Sequence, residues 1–408
     1  MDESPHWRAN LIVCLLGSFS TIVAMTMLLP YLPLYVEHLG VHGHAAIERW
    51  SGVAYGATFL SAALTAPLWG RLGDRYGRKP MLMRASLGMA IAMSLIGLAQ
   101  NVEQLVLLRL LTGLLGGYSS GSTIIVAAQT PRARSAWALG VLSTGVLAGT
   151  VVGPLIGGFA PGLVGVRTSF LVAGGVIFVA FLLTTFGLRE DRTPGRARAN
   201  GEAVRSASWL PGGRPVALLL VTASLLMFAT LSLEPIVTVY IGQLDPGTQH
   251  VAALAGIVIA IGALGSIVSA PRVGRLADRL GHQRVITACL SVAAVTLALQ
   301  SLVENVWQLA ALRLAMGLAL GGLLPTITAA IRHAVPDGVV GRALGLSVSA
   351  QYIGQVLGPL LGGLVAGAFG IRVVFLATAV VLAGGALLSR LGGATPLRYS
   401  QSTVSSCE

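Results

Sequence analysis

The sequence predicts an all-α integral membrane protein, with twelve transmembrane helices in two pseudo-symmetric six-helix bundles. Three observations predict it: a shortage of charge, apolar runs of span length, and a repeat of the first half in the second. Of 408 residues, 54% are hydrophobic and 10% charged, whereas a soluble domain carries roughly 25% charged residues. So little charge cannot coat a water-facing surface, and lipid must be the solvent for much of it.

A helix that crosses a bilayer needs about 20 mostly apolar residues. Such runs fall near 9–33, 50–70, 80–100, 104–128, 137–160 and 166–188. They resume near 214–241, 250–272, 284–303, 306–331, 341–367 and 371–391. Strands of a membrane barrel are about 10 residues long and alternate in polarity; these runs are longer and apolar throughout.

The repeat is read by self-comparison. Ala66-Pro67, Gly70-Arg71-Leu72 and Asp74-Arg75 recur 204 residues later as Ala270-Pro271, Gly274-Arg275-Leu276 and Asp278-Arg279. Arg109 and Gly113 recur at the same offset as Arg313 and Gly317, and Gly153-Pro154 and Gly157-Gly158 recur as Gly358-Pro359 and Gly362-Gly363. Pro30 and Tyr35 match Pro235 and Tyr240. The order of landmarks divides the chain into a bundle over 1–188, a linker over 189–213, a second bundle over 214–391 and a tail over 392–408. The linker is rich in Arg, Pro, Gly and Ser, which suits a solvated loop.

The formal net charge is +12. With the N-terminus inside the cell, 22 of the 27 Lys and Arg fall at inner loops, tails and helix ends. The positive-inside rule therefore places both termini in the cytoplasm, and this asymmetry argues against a nucleic-acid surface. Cys14 and Cys289 lie in apolar runs and Cys407 in the tail, so no disulfide framework is expected. No metal-ligand spacing is present: His38, His42 and His44 lack a completing acid or thiol. No phosphate-cradling loop is present either, so no nucleotide cofactor is expected.

Four motifs carry chemistry. The first is the loop Gly70-Arg71-Leu72-Gly73-Asp74-Arg75-Tyr76-Gly77-Arg78-Lys79-Pro80. Its glycines suit a tight turn. Asp74 can pair with a neighbouring Arg or sit at a helix N-terminus, and a contact of either kind that breaks on movement makes a latch. A plain positive-inside loop is the simpler alternative. The second copy keeps Asp278 and Arg279 but has Ala277, His282 and Gln283 where glycine and bases are expected, which predicts a weaker latch.

The second motif is Arg109, in span 4, with Arg313 as its match. A charge inside a membrane is expensive and marks function by default, unless the side chain snorkels to the interface. The third is span 5, where Gly145, Gly149, Gly153 and Gly157 recur every fourth residue beside Pro154 and Gly158. They share one helix face and allow close approach of another helix. The fourth is Glu234, before Pro235 in span 7. All other acids are placed in loops, tails or helix ends. Glu234 has three readings: a proton carrier, a holder of cationic compounds, or a group at the wet rim of a cavity. Met25, Tyr31, Tyr35, Phe228, Tyr240, Gln351, Tyr352 and Gln355 are candidates to line that cavity, since Met and aromatic walls adapt to varied apolar ligands.

The first motif resembles the signature loop of the major facilitator superfamily. The resemblance covers nearly the whole chain and implies the major facilitator fold, with alternating access about a central site. That mechanism is an established property of the superfamily, not a deduction from the repeat. Span 5 resembles the antiporter motif of drug exporters. Trp7-Arg8-Ala9-Asn10-Leu11-Ile12-Val13, Leu32-Pro33-Leu34-Tyr35-Val36-Glu37 and Arg84-Ala85-Ser86-Leu87-Gly88-Met89 are similar to the MdtG-type multidrug exporters of the drug:proton antiporter family. The resemblance implies a bacterial inner membrane, export of lipophilic drugs and a proton gradient as energy source; small lipophilic or cationic compounds are the expected partners, and a monomer the expected working unit. It also implies a part in proton coupling for Arg109, beside Asp74 and Glu234 as further candidates. Glu234 departs from the family pattern, which has a small residue before the proline. Transport of one specific metabolite is the alternative, although the spans offer few of the convergent polar groups that a sugar needs. A sensor without flux is a third reading that no feature requires.

Overall fold

The computed structural model describes residues 6–131, 134–190, 213–336 and 339–392. The tail and nearly all of the linker lie outside them. Helix is the only regular structure among the described residues, in sixteen segments. This is the expected answer to lipid, where a helix satisfies its own backbone.

The segments make twelve passes. The first six are α1 (Trp7–Met27) with α2 (Leu32–His38), α3 (His44–Tyr76), α4 (Arg78–Ile96), α5 (Val102–Leu115) with α6 (Tyr118–Gln129), α7 (Ser135–Val164) and α8 (Val166–Gly187). The second six are α9 (Gly213–Leu233) with α10 (Val237–Leu244), α11 (Val251–Leu280), α12 (His282–Gln300), α13 (Val306–Leu320) with α14 (Leu323–Ala334), α15 (Val340–Phe369) and α16 (Ile371–Gly392). Ten passes are long and apolar enough to cross a membrane on composition alone. The other two, α3 and α4, carry the basic loop between them. Their repeat partners α11 and α12 are among the ten.

Passes 1, 4, 7 and 10 are broken, in matching places. Pro30 and Pro235 lie in the breaks of passes 1 and 7, where a proline ring removes a backbone donor. Gly116-Gly117 and Gly321-Gly322 break passes 4 and 10, and Gly117 adopts φ +103°, a conformation that favours glycine. Carbonyls near the breaks find partners. The Trp69 indole donates to Leu114 O at 2.7 Å, and Arg84 Nη2 donates to Gly116 O at 2.9 Å. Thr238 Oγ1 donates to Pro30 O at 3.0 Å, tying the break of pass 1 to the other half.

Within the first half α1 packs on α7, α3 on α5 and α4 on α8; α9 on α15, α11 on α13 and α12 on α16 repeat the scheme. The cores repeat too. Tyr35 stacks near Phe170 and donates to Ile96 O at 2.5 Å; Tyr240 stacks near Phe375 and donates to Gln300 O at 3.0 Å. Large apolar side chains such as Phe186, Trp307 and Val380 are exposed and form the lipid-facing belt.

The halves meet along two seams, α3 with α15 and α7 with α11. Both are tight at the end away from the basic loop. A Cβ on Gly52 would stand 2.3 Å from Pro359 O, and one on Gly256 would stand 2.4 Å from Pro154 O. Toward the basic end the same four helices separate: Gly70, Gly274, Gly140 and Gly345 each have nothing within 4 Å of a built Cβ. The close approaches between the halves therefore fall at the end away from the basic loop, and these glycine faces are uncovered at the basic end.

Two expectations need correction. The turn of the Asp74 loop is not built by all its glycines. Helix α3 runs through Gly70 and Gly73 to Tyr76, and Gly77 alone makes the turn, at φ +98°. Glu48, placed at a helix end on sequence, lies one turn inside α3 and is buried.

Candidate functional site

The central site is built where the broken pass 7 faces α3. Glu234 sits in the break between α9 and α10, and Tyr55 of α3 donates to its Oε2 at 2.8 Å. One residue comes from each half, so this bond joins the two halves. Phe59 packs edge-on against Tyr55, with centroids 5.3 Å apart.

Arg109 flanks the pair on one side. Its guanidinium carbon lies 5.5 Å from the Tyr55 ring centroid, and its Nε donates to Ala54 O at 3.4 Å. Arg313 interacts electrostatically with Glu234, without a close ion pair. Both arginines are buried, at 0% and 5% exposure, so the snorkelling alternative fails for both. Nη1 of Arg109 and both Nε and Nη2 of Arg313 have no hydrogen-bond partner.

The local sequence explains how a charge is held so deep. Gly113 lies one turn beyond Arg109, where a Cβ would stand 2.0 Å from Thr58 O; Gly317 lies one turn beyond Arg313, where a Cβ would stand 2.1 Å from Gly262 O. The glycines let α5 and α13 press against α3 and α11. Thr58 Oγ1 then donates to Arg109 O at 3.1 Å. The site thus sets one buried cation, Arg109, against Tyr55 and a second, Arg313, within electrostatic reach of Glu234. Such an arrangement stabilises a fold poorly, and its retention points to use.

The cavity candidates divide. Met25, Tyr31, Phe228, Gln351, Tyr352 and Gln355 are partly exposed on passes 1, 7 and 11. Tyr35 and Tyr240 are each 2% exposed. They belong to the two cores described above and are removed from the cavity wall: a tyrosine whose hydroxyl reaches a carbonyl buries like any other aromatic.

The glycine face of span 5 finds its partner in α1. Built Cβ atoms on Gly145, Gly149, Gly153 and Gly157 would meet Leu15, Ile22, Thr26 and Met27, while Gly158 faces Ala252 of α11. Thr26 Oγ1 donates across this contact to Gly149 O at 3.3 Å. One helix therefore holds pass 1 on one face and the second half on another, beside the in-helix Pro154.

At the basic end Asp74 pairs with Arg78, one turn on, across the Gly77 turn. A helix N-terminus also holds an acid there, but the acid is Glu190. It accepts from the Arg78 and Lys79 amides at 2.6 and 2.9 Å, at the start of α4. The sequence reading missed Glu190, which lies 112 residues from Arg78. Arg75 is exposed and packs on Tyr76. In the second copy His282 Nε2 lies 3.9 Å from Asp278, and Arg279 is exposed. Gln283 instead bonds Ser389 of α16.

The matches to known proteins agree with this architecture. The family model described as Major Facilitator Superfamily matches residues 14–271 and 248–402. The chain belongs to that superfamily. Within it, the chain is 42% identical over 316 residues to the Multidrug resistance protein MdtG of Salmonella paratyphi C, covering 78% of each. The corresponding protein of Salmonella arizonae is 41% identical over the same share. These relatives put the chain on the MdtG branch of the superfamily. Among solved structures, a bacterial homolog of the human lysosomal transporter Spinster, inward-facing and occupied, superimposes with a TM-score of 0.81 at 16% identity, over 97% of this chain and 98% of that one. The nucleoside transporter NupG gives 0.74 at 14% identity, over 95% and 99%. At such identity the superfamily fold alone is shared.

Proposed function

We propose that the protein exports lipophilic drugs in exchange for protons, by alternating access about the Glu234 site. The observation that carries this reading is the Tyr55–Glu234 hydrogen bond, which joins the halves beside two buried arginines. The MdtG relatives, named for multidrug resistance, support the substrate class. A carboxylate held by a tyrosine and facing a buried guanidinium binds or releases a proton as its surroundings change, and when ionised it attracts a cationic substrate.

The basic end faces the cytoplasm in this reading, which follows from the positive-inside bias. The membrane is then the bacterial inner membrane, and the observed state opens inward. Rocking the halves breaks the two sealed seams and closes the basic end. No cofactor takes part, and a single chain is the working unit. Uptake of one metabolite is disfavoured by a wall with few polar groups beyond Gln351 and Gln355.

The test uses everted vesicles energised to hold a pH gradient, challenged with a panel of lipophilic cations and neutral compounds. A transported compound should collapse the gradient. No response to any compound that the protein demonstrably transports would overturn proton exchange. Glu234→Gln should weaken transport of cations more than of neutral compounds; equal loss of both would remove its role in recognition.

A further inference from the structure

A second carboxylate lies inside the protein and outside that site. Glu48 is 3% exposed, one turn into α3. Among the described residues no ion pair or hydrogen bond reaches its side chain; Asp74 and Asp278 have such partners, in Arg78 and His282. It lies in the sealed seam with α15. A Cβ on Gly363 would stand 2.5 Å from Glu48 O, and one on Gly367 would stand 2.6 Å from Ala45 O.

No neighbouring element supplies a counter-charge. On α3 itself, His44 and Arg49 are exposed. On α2, Glu37 and His38 are exposed, and Tyr35 is committed to Ile96 O. Helix α15 has no ionisable side chain from Ile353 to Phe369. On α5, Glu103 is exposed and Arg109 is engaged with Ala54 and Tyr55. The bases of α4, Arg78, Lys79 and Arg84, stand near its basic-end start.

The same face of α3 leads to the central site. Ser51 and Tyr55 follow Glu48 at helical spacing. Ser51 is fully buried and its hydroxyl has no partner, while Tyr55 ends on Glu234. From Glu48 to Tyr55 the helical rise is about 10 Å. An unpaired carboxylate that is largely withdrawn from water is costlier as an anion than as the neutral acid. Opening the seam readmits water and removes that cost.

Resting on the proton-exchange reading, we propose that Glu48 is a second proton-binding residue of the cycle, loaded from the external side while the α3–α15 seam is open. Its carboxylate takes one proton from external water. The resulting neutral acid fits the closed seam better than the anion does. Sealing of the external side is thereby tied to protonation, and reopening returns the proton to water unless it has moved along the Ser51–Tyr55 face toward Glu234.

The test places a reporter thiol at Leu360, which packs against Gly56 in the same seam, in a chain carrying Cys14→Ala, Cys289→Ala and Cys407→Ser. Right-side-out vesicles are treated with a membrane-impermeant maleimide from outside. Dividing each rate by that of the same chain with Glu48→Gln cancels the pH dependence of the thiol. The ratio should rise about fivefold or more between about pH 6 and about pH 9, the scale of a typical coupling between a ligand and a conformational change. A flat ratio overturns the proposal. Glu48→Asp keeps an acid and should keep a pH-dependent ratio; if it behaves as Glu48→Gln does, Glu48 is a packing residue and the proposal also fails. Gradient collapse by substrate in the unsubstituted chain is read in parallel. Collapse with a flat labelling ratio sinks the Glu48 proposal alone, whereas an absent collapse with a transported compound sinks the proton-exchange reading itself.

Discussion

Replacing Gly157 with alanine should loosen the contact between α1 and α7, by an amount set by the packing around it. A Cβ at Gly157 would stand 1.7 Å from Met27 O, 2.5 Å from its carbonyl carbon and 2.7 Å from its Cα. These are backbone atoms and cannot rotate aside. Ordinary contact begins near 3.4 Å, so the helices must part by about 1.7 Å at this point. The displacement propagates along the shared face, where Gly153 meets Thr26 and Gly149 meets Ile22. A gap of that order forfeits much of the dispersion attraction of the atoms lining it. Overpacking a fitted contact costs about 1–3 kcal/mol, offset in part by the roughly 1 kcal/mol that alanine gains over glycine inside a helix. Gly162 is the internal control. It lies on the same helix with nothing within 4 Å of a built Cβ, so its alanine variant keeps only the gain. Thermal unfolding in detergent should show Gly157→Ala melting below the parent chain and Gly162→Ala at or above it. Equal melting temperatures for the two variants would refute the reasoning.

Two further outcomes are expected. Asp74→Asn should leave thermal stability nearly unchanged, since an exposed ion pair contributes about 0–1 kcal/mol, yet lower turnover with substrate binding retained; an equal fall in binding would assign Asp74 to the site and not to a latch. Arg313→Met removes a buried cation with two unpartnered nitrogens, so its melting temperature should hold or rise while vesicle transport is lost; a marked drop in melting temperature with transport intact would make Arg313 a structural residue.

The passes and their duplication were legible in the sequence because each rests on a local pattern: apolar length, proline or paired glycines at the breaks, and landmarks repeated at a fixed offset. The depth of Arg109 was less legible. Snorkelling and burial differ only in what lies around the side chain, and that is decided by α3, from which Ala54 and Tyr55 arrive. Tyr55 itself carried no signal, because its partner Glu234 is 179 residues away. Glu48 was misread for a different reason. With His44 and Arg49 around it, the start of α3 is too polar to register as span, and only packing against Gly363 shows that it is interior. Tyr35 and Tyr240 looked like cavity residues because an aromatic ring with a polar tip suits both a cavity and a core. The carbonyl each one reaches, Ile96 or Gln300, lies on another helix.

The duplication makes the two seams geometrically alike, and the residues that break the likeness fall on one side. Helix α3 carries Glu48, Ser51 and Tyr55, and the corresponding positions of α11 hold Ala252, Ala255 and Ile259. Glu234 in the break of pass 7 corresponds to Leu29 in the break of pass 1. The α7–α11 seam is thus apolar and glycine-lined, with carbonyls such as Pro154 O in close approach to Gly256. It has no ionisable group to load when it opens. The α3–α15 seam has the same shape but adds a row of polar groups that ends on the Glu234 carboxylate. A symmetric rocking motion would open both seams equally, so the geometry of the movement cannot by itself distinguish them. Their chemistry does. Opening the α7–α11 seam exposes apolar surface in any protonation state, whereas, on the role proposed for Glu48, the free energy of opening the α3–α15 seam depends on whether that acid carries a proton. Coupling of movement to a proton gradient therefore requires only one of the two seams to be polar, and the second copy of the repeat is free to remain a dry contact on which the first turns.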